Sequence, residues 1–415
     1  MRPKVVVLIE SGNHAYEIRD LTQAGYSVVY LTSGMYKNVP EYLEMAEEVV
    51  RDKRLFEPDY FVQKLDELSG RYEIACIFTT GDFMIPLVTQ YCKDKGYRNL
   101  DPSLAQSLRN KHEFREKQRE LGFPVPSFRL CRTVEEGEAF LAEMNKALVF
   151  KPVNGNQSEG IRLVYTTEEL QAAYETLQLL SRFTKGVVED SEYLLEEYIP
   201  GPIFSCEFIK DSSGVHMLGV TNRYLGQPPS FVESGFIFPY QGVETEAVIQ
   251  ETYAFIERFQ FDFGPCHIEY IMDNDGRLYI LEVNPRLFGF PCYWLINQAM
   301  SINIFASLAD LYVTGEFTAN TEAAKVATLF EYYPPTEGYI SIDLQSLESS
   351  EAGPLWVMNH APQSRFVSST SSNNDTLLSV LTSAATEGEC IAMAQSVCDA
   401  IEVTVRTKPK VPYLA

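Results

Sequence analysis

The chain has 415 residues, of which 45% are hydrophobic, and a formal net charge of −23. That is apolar material for about two to four packed domains rather than a disordered chain, and a surface so acidic repels nucleic acid and anionic membrane, so neither is expected as a partner. The apolar runs are too short to span a bilayer, and the eight cysteines form no Cys-x-x-Cys pair, so neither a zinc site nor a disulfide frame is signalled and a reducing cytoplasm is the expected location.

Val5–Ile9, Ser27–Leu31 and Ile74–Phe78 are apolar, β-branched runs, separated by helical stretches near His14–Ala24, Asp59–Leu68 and Asp82–Lys95. This alternation predicts βαβ units and a parallel, doubly wound sheet. The loop Glu10–His14 leaves the first strand where such sheets bind ligands, although turn chemistry alone also selects Ser, Gly and Asn. A helix is expected over Pro102–Leu121, stopped by Gly122 and Pro124. The next unit reads strand, helix 134–144, strand 148–151, loop, strand 161–164, helix 167–180, strand 193–197. After residue 201, strands near 204–210 and 215–222 precede a helix over 244–260 and an acidic hairpin. The tail reads as a strand near 326–332, a Ser/Asn-rich segment from Ser368 to Asn374, and an amphipathic helix near 377–401.

The hairpin carries the strongest chemistry. Cys266–Ile271 and Tyr279–Arg286 alternate apolar and polar residues about the turn Asp273-Asn274-Asp275-Gly276. Folding back at that turn sets Glu269 opposite Glu282, with Asn284 one pleat further and Arg286 on the same parity. Two carboxylates and an amide oxygen suit Mg²⁺ held between protein and phosphates, and Arg286 can grip a phosphate or carboxylate with two N–H groups. A hairpin that merely faced water would not require Asn and Arg at that spacing. His267 alternates with Glu269 and is expected to be either packed or beside the metal rather than a proton shuttle. Lys151 ends a buried strand before the small-residue loop Pro152–Gly160, a pattern that suits phosphate, though a plain Asn/Gly hairpin would look the same. Tyr193–Ile199 before Pro200-Gly201-Pro202 is a strand that can run past a purine or simply exit the sheet. Lys111 lies in the linking helix, where many lysines are only solvated.

Taken in order, a lysine in the linking helix, Lys before a small-residue loop, Glu-Glu before Pro-Gly-Pro, and Glu … Glu-x-Asn-x-Arg resemble the ATP-grasp superfamily of carboxylate–amine ligases, over roughly residues 1–320. Within it, Thr221–Leu225 and Pro228–Phe236 look like the bacterial L-amino-acid ligases, which form dipeptides. The resemblance implies α/β and α+β architecture. A Rossmann-like domain (1–110) is followed by a small ATP-grasp subdomain with a flap (111–200), a large one with the metal site (201–320) and a C-terminal extension (321–415). It implies ATP and magnesium, or manganese in its place, amino-acid substrates and a homodimer. Lys111 and Lys151 are expected on the ATP phosphates, Ser158 in the flap, Glu196 and the Ile199 backbone at adenine, and Glu269, Glu282 and Asn284 on the metal. Arg286 is expected to stabilise the acyl phosphate, and Glu233 to bind the α-ammonium of the first amino acid.

Three positions depart from that pattern: Ile203 stands where many members carry a ribose-binding glutamate, Gln157 where the flap has a glycine, and Phe236 where some dipeptide ligases have histidine. The expected reaction makes an acyl phosphate and ADP, then an amide, with Glu233 and His267 both open as helpers of the amine. A carboxylate such as bicarbonate, or an amine on a carrier or larger metabolite, remains an alternative. A nucleotide-binding module without turnover is disfavoured by the intact lysines, carboxylates and arginine.

Overall fold

The structure, a computed structural model, describes residues 2–155, 160–184, 188–225, 232–333, 336–344, 349–361, 364–367 and 375–406. Ser158 of the expected flap, Pro228–Phe231 and the Ser/Asn-rich segment lie outside them.

The N-terminal unit runs β1 (Lys4–Ile9), α1 (Tyr16–Gln23), β2 (Val28–Thr32), α2 (Pro40–Leu43), β3 (Glu48–Arg51), α3 (Pro58–Arg71), β4 (Glu73–Thr79) and α4 (Ile85–Lys95). The four strands are parallel, in the order β3-β2-β1-β4. Both faces are covered, as a parallel sheet requires. Val5, Val7 and Ile9 pack with Phe61, Leu65 and Val88 on one side. Val6 and Leu8 pack on the other with Ile18 and Leu21 and with Ile304 and Leu308 from far downstream.

The single helix expected over Pro102–Leu121 is two: α5 (Pro102–Arg109) and α6 (Lys111–Glu120). Asn110 between them leaves helical geometry (φ −85°, ψ 109°), and its side chain accepts hydrogen bonds from the backbone N–H of His112 and Glu113. An asparagine is among the best residues for that N-cap role, which the apolar periodicity hides. The small unit follows: β5 (Phe128–Cys131), α7 (Val134–Met144), β6 (Leu148–Pro152), β7 (Arg162–Val164), α8 (Thr167–Phe183) and β8 (Tyr193–Glu197). Its antiparallel sheet, in the order β5-β8-β6-β7, has its own core around Phe150, Leu170, Leu177 and Tyr193.

The remaining described elements are β9 (Ile203–Lys210), β10 (Val215–Leu225), β11 (Glu233–Phe238), α9 (Thr245–Phe259), β12 (Gly264–Met272), β13 (Leu278–Asn284), α10 (Tyr293–Met300), α11 (Ile304–Thr314), β14 (Val326–Tyr332), β15 (Gly338–Asp343), β16 (Leu355–Asn359), β17 (Arg365–Val367), β18 (Leu378–Ala384), α12 (Glu387–Ala400) and β19 (Glu402–Arg406). Eight strands form one sheet in the order β13-β12-β9-β10-β11-β14-β18-β16, and β17-β15-β19 form a small one. The large sheet therefore runs through the boundary expected near residue 320. The amphipathic helix expected over 377–401 is instead the strand β18, a turn and α12. Thr386 and Glu389 close a capping box at the start of α12, and Leu378–Ala384 is a short buried run whose periodicity alone does not separate strand from helix. The fold class expected from the sequence is the one observed: a doubly wound parallel sheet, then two α+β units and a C-terminal extension. No described helix is long and apolar enough to cross a membrane.

Candidate active site

The β12–β13 register places Glu269 opposite Glu282 and His267 opposite Asn284. Residues paired across strands share a face, so one side of the large sheet can be followed outward. Glu269 and His267 sit beside Ser205 and Glu207 on β9, Ser205 beside Thr221 and Ile203 beside Arg223 on β10, and Arg223 beside Phe236 on β11. β11 bulges at Ser234, since Tyr224 pairs with Gly235 but Leu225 with Glu233. The extra residue returns Glu233 to the face of Arg223. Glu282, Asn284, Glu269, His267, Glu207, Arg223 and Glu233 thus share one polar surface.

Charge on that surface is paired tightly. Arg223 bridges Glu233 and Glu269, with Nη1 2.5 Å from the Glu269 carboxylate. Its guanidinium lies over the Phe236 ring at 5.3 Å. His267 is 2% exposed. Its Nδ1 lies 2.9 Å from Glu207 Oε1 and its Nε2 3.1 Å from Glu269 Oε1. Burial works against a charged ring there, but Glu207 and Glu269 outweigh it and raise the His267 pKa. For Glu269 burial favours the acid, yet Arg223 and His267 hold its pKa well below the usual carboxylate range. Both nitrogens of His267 are engaged, so it orients Glu269 more directly than it could serve a substrate. Phe288 stacks on the His267 ring at 4.8 Å and meets Phe236 edge-on.

The two lysines approach from the small unit. The Lys111 ammonium stands 3.2 Å from Glu282 and donates to the Gly155 carbonyl at 2.9 Å, while Arg109 donates to the Asn154 carbonyl. The start of the loop after β6 is thereby tied to the α5–α6 corner. Lys151 donates to Glu196 Oε2 at 2.5 Å, and Arg115 donates to both oxygens of the same carboxylate at 2.6 and 3.2 Å. The carboxylate expected at adenine is thus already held at both oxygens, because it is the counter-ion that buried Lys151 and Arg115 need. Burial opposes ionisation of Glu196, but Arg115 and Lys151 bring its pKa down to about 2. Burial draws the Lys151 ammonium below its ordinary value, against the pull of Glu196. Arg115 also donates to the Ile280 and Leu281 carbonyls of β13, stitching small sheet to large. Ile199 lies just beyond β8, where the backbone leaves the small sheet.

Arg286 follows the hairpin and is gripped by Asp82, just after β4, at 2.7 and 3.0 Å. Burial raises the Asp82 pKa, but Arg286, with Arg109 and Lys111 further off, outweighs it and keeps the carboxyl ionised below its ordinary range. Asp82, Arg223, Glu207 and Arg115 were absent from the sequence expectation. Arg223 was legible in the Thr221–Leu225 stretch. Asp82 carries no local signal, because its partner lies about two hundred residues away.

Magnesium fits this donor set. Among the described residues no three His, Cys, Asp or Glu side chains converge on one point. What the hairpin offers is two facing carboxylates and an amide, which leaves positions for phosphate oxygens and water, as Mg²⁺ prefers.

The polar sheet face, its facing carboxylates and Lys111 beside one of them make up the candidate site. Residues 144–293 match the ATP-grasp domain family. It is 26% identical over 273 residues to the uncharacterized protein y4rH of Sinorhizobium fredii, a match covering 65% of this chain and 55% of that protein. The chain thus spans little more than half the length of that relative. Its fold resembles the L-amino acid ligase of Bacillus licheniformis (TM-score 0.81, 18% identity, 97% of this chain and 99% of that one). It also resembles the biotin carboxylase domain of Hydrogenobacter thermophilus 2-oxoglutarate carboxylase, solved with MgADP (TM-score 0.70, 16% identity, 96% and 90%).

Proposed function

We propose that this protein is an ATP-dependent ligase that joins the carboxylate of one amino acid to the amino group of another through an acyl phosphate, releasing ADP and phosphate. The observation that carries this reading is the facing pair Glu269–Glu282, with Lys111 on one carboxylate and Arg223 on the other. Cation and anion alternate there as a site for a metal-bound triphosphate demands.

Glu269, Glu282 and Asn284 are the residues that would hold magnesium, which when bound offsets charge on the transferring phosphoryl group. Lys111 and Lys151 take the phosphates, and Glu196 acts by fixing Lys151 rather than by reaching adenine. The Ile199 backbone meets the purine edge. Glu233 binds the α-ammonium of the first amino acid, and Arg286 faces the acyl phosphate. Ser158 belongs to the covering flap, which keeps water from that hydrolysable intermediate. Positioning and pre-aimed charge supply most of the rate. Small-molecule substrates, a homodimer and a cytoplasmic location complete the reading.

The test is product analysis over a panel of single amino acids and pairs with Mg²⁺-ATP. ADP and phosphate released only when amino acids are present, with a dipeptide by mass spectrometry, are expected. AMP and pyrophosphate would mean an adenylating enzyme, and turnover with bicarbonate alone would move the chain to a carboxylating chemistry.

A further inference from the structure

Past Arg223 the same sheet face turns apolar at Phe236 and Leu329, which belong to the core shared with α10, and carries a carboxylate again at Glu331. Phe236 pairs with Leu329 on β14, and two residues on, Glu331 pairs with Ser379 on β18. Glu331 therefore stands on the same side of the sheet as Arg223 and Glu233, in a part of the chain beyond the matched residues 144–293. We propose that Glu331, backed by Ser379 and His360, is the subsite for the amino group of the second amino acid, holding its α-ammonium and taking one proton from it. This deepens the ligase reading and rests on it.

The site is built. Ser379 donates its hydroxyl to Glu331 Oε2 at 2.8 Å, and His360 Nε2 lies 2.8 Å behind the Ser379 oxygen. With the Ser379 proton given to Glu331, His360 donates from Nε2, which makes a line of three groups ending on the carboxylate. Thr376 adds a second side-chain hydrogen bond. Among the described residues, no lysine or arginine forms an ion pair with Glu331, whereas Glu233, Glu269, Glu282 and Glu196 each have one. A half-buried carboxylate supported only by hydroxyls has no cation beside it, and an ammonium supplies one. Burial raises the Glu331 pKa to about 8, against the pull of Ser379 and Thr376; an arriving ammonium opposes that rise and favours the carboxylate.

Glu331 lies within electrostatic reach of the same thiol as the charged groups of the polar face. The Cys292 thiol, at the start of α10, senses Arg223, Glu207, Glu331 and Arg286 together. Tyr333 and Asp375 are the ionisable neighbours on the tail side, and His14, whose charge His360 senses, closes the N-terminal side. Two strand spacings and two residues separate Arg223 from Glu331, about 12 Å between Cα atoms. Among the described residues no ion pair joins the two, since Arg223 is taken by Glu233 and Glu269.

The step balances simply. The α-ammonium gives a proton to the Glu331 carboxylate. The freed nitrogen lone pair forms the C–N bond to the acyl carbon, and the C–O bond to phosphate breaks with its electrons. Of the two protons then left on nitrogen, one leaves with the phosphate and the other stays as the amide N–H.

Hydroxylamine is unprotonated at neutral pH and captures acyl phosphates without help, so it separates the two half-reactions. With full-length Glu331→Gln, the ratio of amide to hydroxamate product is expected to fall at least tenfold at pH 7 and to recover as pH is raised. Ser379→Ala, a gentler change, is expected to shift the same ratio in the same direction. An unchanged ratio in both variants, or equal loss of amide and hydroxamate, overturns the subsite. If the parent protein yields neither product, the ligase reading itself falls, and this inference with it.

Discussion

Asp82 and Arg286 meet in a two-point ion pair, 2.7 and 3.0 Å long, that links the exit of β4 to the end of the acidic hairpin. The pair is largely buried, so its two halves are not interchangeable with water. Asp82→Ala would leave an uncompensated guanidinium. It is expected to cost about 3 kcal/mol of stability and to slow ADP release, whereas Asp82→Glu keeps most of both. Urea unfolding beside an ADP assay checks this; a loss below about 0.5 kcal/mol, the range of ordinary surface changes, would mean the pair is ornamental.

Asn110 terminates α5 and caps α6 in one residue. Removing its side chain in Asn110→Ala is expected to cost about 1 kcal/mol. It should also raise the ATP concentration needed for half-maximal rate, because Lys111 is the first residue of α6. Asn110→Asp, which still accepts both backbone N–H groups, is the control. Equal ATP dependence in all three proteins would detach Lys111 from nucleotide.

Glu282 faces Glu269 and carries the Lys111 ammonium. Glu282→Ala is expected to lower turnover by about 10²–10³-fold, the range for a lost electrostatic stabiliser, while the fold survives. Near-normal ADP release, with magnesium dependence unchanged, would remove it from the metal set.

Glu331 makes stability depend on pH. Its folded pKa of about 8 lies above its usual 4.5, so its contribution is fully present below about pH 4.5 and is lost progressively as pH rises to about 8. Glu331→Gln cannot ionise. Relative to the parent, its melting temperature should gain steadily across that window and level off above it. A constant difference between the two melting curves at all pH values would show that the acid is not buried as described.

What the sequence made legible is what sits close together along the chain. The hairpin register was readable because turn, alternation and acidic residues fall within two dozen positions, and the parallel sheet because three of its strands hold apolar runs; β3, a short edge strand flanked by Glu48 and Arg51, carried no such signal. Missed elements fail for physical reasons. Helix α10 is buried nearly all round, so it shows no polar stripe to mark it. Asn110 hid a break because flanking periodicity carried on through it. Glu196 looked like a ligand of purine because its counter-ions, Arg115 and Lys151, lie 81 and 45 residues away. Glu331 gave no motif at all, since only strand order brings β14 beside β11.

One apolar core joins the N-terminal sheet to α10, α11 and the large sheet, whereas the small sheet keeps its interior to itself. The small sheet thus meets this base through polar links such as those of Arg115 to Glu196 and to the Ile280 and Leu281 carbonyls. Separating the two would break bonds that water can replace and leave both greasy interiors intact.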